Sequence, residues 1–135
     1  MVLIHFQRWL FYNYKDHPIQ VQSTNLSGGT DIVTTQYTWA GQPLVVISKS
    51  QKAGNYPQET VIVTQNSYDE LGRLVKVEKK QRNSLISAGN MSDYRTILKN
   101  EYDKLGQLKK KEIGTNPATG AALETLNYDY NIRGW

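Results

Sequence analysis

The sequence contains no cysteine and only two histidines among its 135 residues. The absence of cysteine excludes disulfide bonds, thiolate catalysis and cysteine metal sites together. His5 and His17 stand in different segments, and no spacing of carboxylates near them would complete a metal site. Both are therefore predicted to be surface or strand-end residues, and we expect no metal and no cofactor.

Long apolar stretches are also missing. No segment approaches the roughly 18 apolar residues of a membrane-spanning helix, so no membrane span is expected. Residues 1–12 are apolar but are interrupted by His, Gln and Arg, and they show neither a basic leader nor a small-residue cleavage site. They are not predicted to be a signal peptide, and an export signal would lie on sequence outside this chain.

Familiar catalytic patterns are absent as well. The sequence has no Ser-His-Asp arrangement, paired-carboxylate spacing or metal-ligand spacing, so it is not predicted to be an enzyme. The formal charge is +4, and its two concentrations, residues 76–82 and 109–111, would bind phosphates only if they lay on one face. Lysines on exposed strands more commonly prevent edge-to-edge pairing. Nucleic acid is therefore not an expected partner.

The residues that are present favour strands. Only 39% of the chain is hydrophobic, and nine tyrosines and three tryptophans stand against two phenylalanines. Tyr, Val, Ile and Thr are enriched in strands, and amphipathic rings suit sheets that are partly wet and partly packed.

A seven-residue stretch, Tyr-Asp-Glu-Leu-Gly-Arg-Leu at 68–74, recurs along the chain. The closest copy is 102–108, and weaker copies begin at Tyr37 and Tyr12. A fifth copy is predicted at 128–129, although Gly134 follows that Tyr by six residues instead of four. The distances between the tyrosines that begin successive copies are typical of repeat proteins. The predicted structural motif residues are Tyr12, Asn13, Tyr37, Gly41, Tyr68, Asp69, Gly72, Arg73, Leu74, Tyr102, Asp103, Gly106, Leu108, Tyr128 and Asp129.

The motif predicts a hairpin turn. Its Asp can accept hydrogen bonds from N–H groups two or three residues on, and its Gly can take a positive φ after a type I turn and set a bulge. The Tyr ring is expected to cover the turn, and Leu71 or Leu105 at the tip would need apolar cover. Acid–base or sugar-binding chemistry is the alternative, but Asn13 and Thr38 replace the Asp in two copies. A turn tolerates those replacements, whereas catalysis would not.

These turns divide the chain into successive hairpins. We predict an all-β antiparallel meander forming a single repeat region over 1–135, with units at 3–23, 32–50, 59–81, 94–113 and an incomplete 122–135. Alternation over 18–23 predicts one buried and one wet face, and residues 45–47 are apolar enough to be covered on both faces. Residues 92–112 could instead form a helix, but the repetition of the motif there favours strands.

The motif resembles the YD repeats of the Rhs (rearrangement hot spot) family, whose units carry Tyr-Asp followed by Gly-Arg and an apolar residue. Residues 68–74 match that pattern fully, and 102–108 departs from it only by Gln107. The resemblance covers about 120 residues, and 128–135 resemble a form found in Bacteroidetes members. It implies a β-ribbon that spirals into a hollow shell around a C-terminal toxin, with related repeats in adhesion proteins. Neither the toxin nor the autoproteolytic aspartates of such proteins are found here.

The sequence thus favours a non-catalytic structural module of a larger secreted or surface protein. Its expected partners are neighbouring repeats of that protein and, through exposed sheet edges, other copies of itself. The alternative is a cell-surface adhesion module in which tyrosines and lysines bind a glycan or a partner protein.

Overall fold

A computed structural model of the chain describes residues 7–131. These residues form one antiparallel sheet in which nine strands are hydrogen-bonded in sequence order, which confirms the predicted all-β meander. The strands are β1 (Arg8–Tyr12), β2 (Pro18–Thr24), β3 (Thr30–Tyr37), β4 (Pro43–Lys52), β5 (Gln58–Tyr68), β6 (Leu74–Asn83), β7 (Arg95–Tyr102), β8 (Leu108–Ile113) and β9 (Glu124–Asn127).

Successive strands pair as hairpins 1 (β1–β2), 2 (β3–β4), 3 (β5–β6) and 4 (β7–β8), each closed by a copy of the motif. The helical alternative for 92–112 is wrong, because that segment forms β7 and β8. The only helical turn in the described range is a short 3-10 turn at Ser87–Gly89, where Ser87 and Ala88 have φ of 52° and 54°. The predicted strand starting at residue 3 and the end of the fifth unit reach beyond the described residues.

The chain divides into two compact units. The first comprises Met1–Gln65 and Lys80–Asp93, and the second comprises Asn66–Lys79 and Tyr94–Trp135. Val61 and Val63, in the first unit, are each 8% exposed, and no other side chain in the described range is buried to that extent. They lie two residues apart on β5 and therefore on one face of the sheet.

The expectation of one buried and one wet face is wrong. Ile19 on β2 is 38% exposed, and Ile47, which was expected to be covered on both sides, is 39% exposed. Polar and apolar residues also share the same cross-strand rows on both faces of the first unit. One cross-strand row runs through Val21, Val33, Ser48 and Ile62, and the row on the opposite face runs through Gln22, Ile32, Lys49 and Val61.

Because both faces mix polar and apolar residues, the sheet must be stabilised chiefly by contacts between neighbouring strands. Backbone hydrogen bonds and cross-strand side-chain pairs supply that stabilisation. Examples in the first unit are Gln20 Nε2, which donates to Thr34 Oγ1 at 3.1 Å, and the ion pair of Lys49 and Glu59 at 2.9 Å.

Candidate functional site

The repeated turn is the most regular feature of the fold, because its copies make equivalent hydrogen bonds. Asp69 Oδ1 accepts from the N–H groups of Leu71 and Arg73 at 3.0 and 2.8 Å. Asp103 repeats this with the N–H groups of Leu105 and Gln107, both at 2.9 Å. The acceptor role predicted for the Asp is confirmed, although the second donor lies four residues on and not three.

Weaker copies of the motif form the same turn with other side chains. Asn13 Oδ1 accepts from the N–H groups of Lys15 and His17, at 2.8 and 3.0 Å. Thr38 Oγ1 accepts from the Gln42 N–H at 3.2 Å. A short oxygen acceptor is therefore what this position requires, and a carboxylate is one way to supply it.

Positive φ at the end of the turn is also confirmed. Gly72, Gly106 and Gly41 have φ of 78°, 84° and 87°, and Asp16 takes the same position in hairpin 1 with φ of 59°. Gly72 N–H donates to the Asp69 carbonyl at 2.9 Å, and Asp69 N–H donates to the Arg73 carbonyl at 3.0 Å. This is a type I turn followed by a left-handed residue.

The predicted bulge is present as well. Pairing shifts between Phe11 and Tyr12 in hairpin 1, between Gln36 and Tyr37 in hairpin 2, and between Glu101 and Tyr102 in hairpin 4. Each shift thus falls on a motif tyrosine, where one additional residue of the outgoing strand is accommodated.

The motif tyrosines end the incoming strands and reach the preceding hairpin. Tyr37 Oη donates to the Pro18 carbonyl at 2.8 Å, across 19 residues. Tyr102 Oη donates to the Leu74 carbonyl at 2.8 Å, across 28 residues. We call this bond the interhairpin tyrosine contact: its donor lies at or just after the end of an incoming strand, and its acceptor begins the outgoing strand of the hairpin before it.

The rings of these tyrosines lie against the preceding hairpin, and not over their own turn as expected. The Arg73 guanidinium is 4.5 Å from the centroid of the Tyr102 ring, and its Nε also donates to Asp69 Oδ2 at 2.6 Å. In hairpin 1 the equivalent residue is His17, whose ring centroid is 4.9 Å from that of Tyr37. The residue after the turn is thus covered by the tyrosine of the next hairpin.

Glycines complete this packing. A Cβ built on Gly41 would lie 2.9 Å from His17 Cε1, and one built on Gly106 would lie 3.4 Å from Arg73 Nη1. Gly41 therefore serves its own turn through its φ and the preceding hairpin through its missing side chain, whereas a Cβ at Gly106 would make an ordinary contact with the arginine.

The fifth copy lies in a different frame from the one predicted. Tyr130 Oη donates to the Leu108 carbonyl at 2.8 Å, so Tyr130 makes the interhairpin tyrosine contact. Tyr128 and Asp129 stand earlier, and the Tyr128 backbone N–H donates to the Lys109 carbonyl at 2.9 Å. If the fifth copy is counted from Tyr130, Asn131 takes the Asp position and Gly134 follows the Tyr by four residues. The Tyr-Asp pair at 128–129 hides this arrangement in the sequence.

Sequence reasoning also missed that the opposite ends of the hairpins use related turns. Asn25 Oδ1 accepts from the N–H groups of Ser27 and Gly29, both at 3.1 Å. Gly28 there has φ of 82°. Asn83 and Asn116 likewise accept from the N–H groups two residues on, at 2.9 Å each. These asparagines lie between the predicted units, for which no turn geometry was predicted.

The turn tips remain exposed. Leu71 is 77% exposed and Leu105 is 84% exposed, so the apolar cover expected for them is not provided by the described residues. At the tip of hairpin 2, Trp39 is 83% exposed. Lys15 Nζ lies 3.8 Å from the centroid of its ring and donates to the Trp39 carbonyl at 2.9 Å.

The ionisable side chains with shifted pKa values are held in charged forms. A backbone hydrogen bond from Arg73 lowers the pKa of Asp69, and a side-chain bond from Lys49 lowers that of Glu59, which Arg82 also contacts. The hydrogen bond between Lys110 and Glu112 raises the pKa of the lysine and lowers that of the glutamate. All four shifts move away from neutral pH, whereas a general acid or base works best near it.

The first unit carries surface grooves. A groove of about 430 Å³ lies beside the loop after β6 and is lined by Thr60, residues 81–83, 86–87 and 90–93. No group of three or more potential metal ligands occurs within residues 7–131. In that same range, no helix has the length and apolar character needed to span a membrane.

No family model matches the sequence, and no curated protein or solved structure matches it. Functional statements for this chain therefore rest on its own residues and geometry.

Proposed function

We propose that this chain is a non-catalytic structural repeat module, in which successive hairpins build a β-sheet wall. The observation that carries the proposal is the interhairpin tyrosine contact, made at 2.8 Å by Tyr37, Tyr102 and Tyr130 with the carbonyls of Pro18, Leu74 and Leu108. The same donor and acceptor positions recur, and hairpin 4 carries both halves of the contact, the donor at Tyr102 and the acceptor at Leu108.

A hairpin that carries the donor on one side and the acceptor on the other can be extended by further hairpins through the same contact. Stability in such arrays comes from interfaces between neighbours and not from one central core. The burial pattern supports this, since among residues 7–131 only Val61 and Val63 reach 8% exposure, and in the first unit both sheet faces carry mixed polar and apolar rows.

At the level of a whole protein, we propose a larger Rhs-like secreted or surface protein. Its repeats would form a β-shell that encapsulates or presents a C-terminal effector. The resemblance of residues 68–74 and 102–108 to YD repeats supports this proposal, as does a meander in which each of those segments closes a hairpin.

The test is the open reading frame that contains this chain. We expect many more Tyr-Asp units followed by an unrelated C-terminal domain. In the purified whole protein, that domain should resist protease, and it should become sensitive when interhairpin contacts are removed by Tyr102→Ala. A reading frame without further repeats, or a C-terminal domain equally sensitive in both proteins, would count against the shell.

A second candidate is an adhesion module, favoured by the tip of hairpin 2. Trp39 is largely exposed, and Lys15 lies over its ring. Exposed aromatic rings stack on sugars, and a lysine adds affinity for acidic groups. A glycan array and a heparin column would test this: retention lost in Trp39→Ala but kept in Tyr56→Ala supports adhesion, and no retention at low salt removes it.

A further inference from the structure

The tips of hairpins 1 and 2 reverse the usual exposure of aromatic and charged residues. Tyr14 is 80% exposed and Trp39 is 83% exposed, whereas Lys15 beside them is half-buried. Lysine is ordinarily among the most exposed residues of a protein, and tyrosine and tryptophan are ordinarily more covered. At these tips the rings shelter a cation instead of being covered themselves.

The sheltered lysine contacts both rings. Its Nζ lies 3.8 Å from the centroid of the Trp39 ring and 5.8 Å from the centroid of the Tyr14 ring. It also donates to the Trp39 carbonyl at 2.9 Å. Lys15 takes part in none of the ion pairs of residues 7–131, although Asp16 follows it in the chain. Aromatic faces and a carbonyl oxygen therefore hold this cation without a carboxylate.

The surface at these tips has room for a cation larger than a lysine ammonium. A concavity of about 320 Å³ is lined there by residues that include Tyr14, Lys15, Thr35 and Trp39. Two aromatic rings within reach of one cation form the arrangement that recognises quaternary ammonium groups. Such a group has no N–H to donate to the Trp39 carbonyl, but its polarised methyl groups can make weak contacts with that oxygen.

We propose that Tyr14 and Trp39 form a cage, here called the tip cage, that binds a quaternary ammonium group of the choline type. Lys15 fills the tip cage when no ligand is present. A lysine ammonium is a compact and strongly hydrated charge, so a quaternary ammonium group gives up less hydration when it takes the place of Lys15 beside the rings. The apparent affinity for the ligand is reduced by the fraction of tip cages that Lys15 fills.

This inference rests neither on the β-sheet wall nor on glycan adhesion. In glycan adhesion Lys15 would attract an acidic group, so Lys15→Ala would weaken retention on a glycan or heparin surface. In the tip cage Lys15 competes with the ligand, so Lys15→Ala should strengthen choline binding. The two uses of Trp39 therefore give opposite results in the same variant.

Titration of the full chain with choline, followed by proton–nitrogen correlation NMR, tests the site. The chain has three tryptophans, and the indole N–H signal that is lost in Trp39→Leu identifies Trp39. We expect this signal to shift with a Kd on the order of 1 mM. The tert-butyl analogue of choline has the same shape without the charge, and it should give no saturable shift because cation–π attraction requires the charge.

Variants of the tip cage should change the affinity in predictable directions, measured from the backbone amide signals of the hairpin 1 tip. Trp39→Leu should weaken choline binding about tenfold, and Lys15→Ala should strengthen it about threefold. Lys15→Ala keeps the turn, because the bond to Asn13 comes from the Lys15 backbone N–H. Leu26→Ala, at an exposed tip elsewhere in the first unit, should bind choline like the wild type.

Vesicles of phosphatidylcholine separate two sources of the same group. A chain that binds choline and sediments with the vesicles recognises a lipid headgroup, and one that binds choline without sedimenting recognises a soluble ligand; either result supports the tip cage. The absence of a saturable shift, equal shifts with the uncharged analogue, unchanged binding in Trp39→Leu, or weaker binding in Lys15→Ala would each overturn the proposal.

Discussion

The double role of the turn glycine can be measured by comparing two glycines in the first unit. Gly28 and Gly41 have nearly equal φ, 82° and 87°. A Cβ on Gly28 would meet nothing within 4 Å, whereas one on Gly41 would lie 2.9 Å from His17 Cε1. Gly28→Ala therefore measures the conformational cost alone, and Gly41→Ala measures that cost together with the contact to hairpin 1.

The left-handed conformation costs an Ala residue about 1–2 kcal/mol, which is the loss of unfolding free energy expected for Gly28→Ala. Gly41→Ala should lose about 1 kcal/mol more, since the His17 ring is held against Tyr37 and cannot simply swing away. For a chain of this length the additional loss lowers Tm by about 4 °C.

Urea unfolding followed by far-UV circular dichroism would give both free energies. In a His17→Ala background the cost of Gly41→Ala should fall to that of Gly28→Ala, a coupling of about 1 kcal/mol between the two sites. Equal losses for the two glycine variants, or a coupling near zero, would refute packing between successive hairpins as the reason for glycine at position 41.

Three further predictions concern the second unit. Tyr102→Phe should lose about 0.5–1.5 kcal/mol of unfolding free energy by removing one interhairpin hydrogen bond, while Tyr56→Phe, at an exposed site, should lose almost nothing; equal effects would deny the contact a stabilising role. Gly72→Val should lose more than about 1 kcal/mol in urea unfolding through its positive φ, and a neutral result would disprove the turn. Because the pKa of Asp69 is lowered from its ordinary 3.8, chiefly by the Arg73 N–H, its contribution is present above that pH and lost as pH falls through the lower folded value. Tm measured from neutral to acid pH should therefore fall less steeply in Asp69→Asn, and identical slopes would contradict this assignment.

The sequence was most informative where the chemistry is local. Asp69 and Gly72 specify the turn through groups at most four residues apart, so their acceptor and positive-φ roles follow from residue type. The same reasoning extended correctly to Asn13, and the repetition of that turn was enough to predict the meander. Tyr130 was missed because the Tyr-Asp pair at 128–129 led to a predicted start of the fifth copy two residues too early.

Properties that depend on neighbouring strands were less accessible. The alternation of Ile19 and Val21 along β2 suggested a buried face, but burial depends on which residues flank them across the sheet and on whether a second layer exists. Val33 lies opposite Ser48, a pairing that one strand's periodicity cannot reveal. The carbonyl that accepts from Tyr102 belongs to a residue 28 positions earlier. Repetition of the tyrosine therefore indicated that it matters, but not which hairpin it contacts.

The residue after each turn shows how the repeat separates its fixed and variable parts. His17, Gln42, Arg73 and Gln107 all donate a backbone N–H to the acceptor side chain four residues earlier. Their side chains differ in charge and shape, yet His17 and Arg73 both lie against the tyrosine ring of the next hairpin. An aromatic ring can pack against an imidazole ring and against a guanidinium group, and at His17 the nearby Gly41 leaves the room for it. The fold therefore requires the turn backbone, the tyrosine of the next hairpin and the glycine, while the side chain of the residue after the turn can vary.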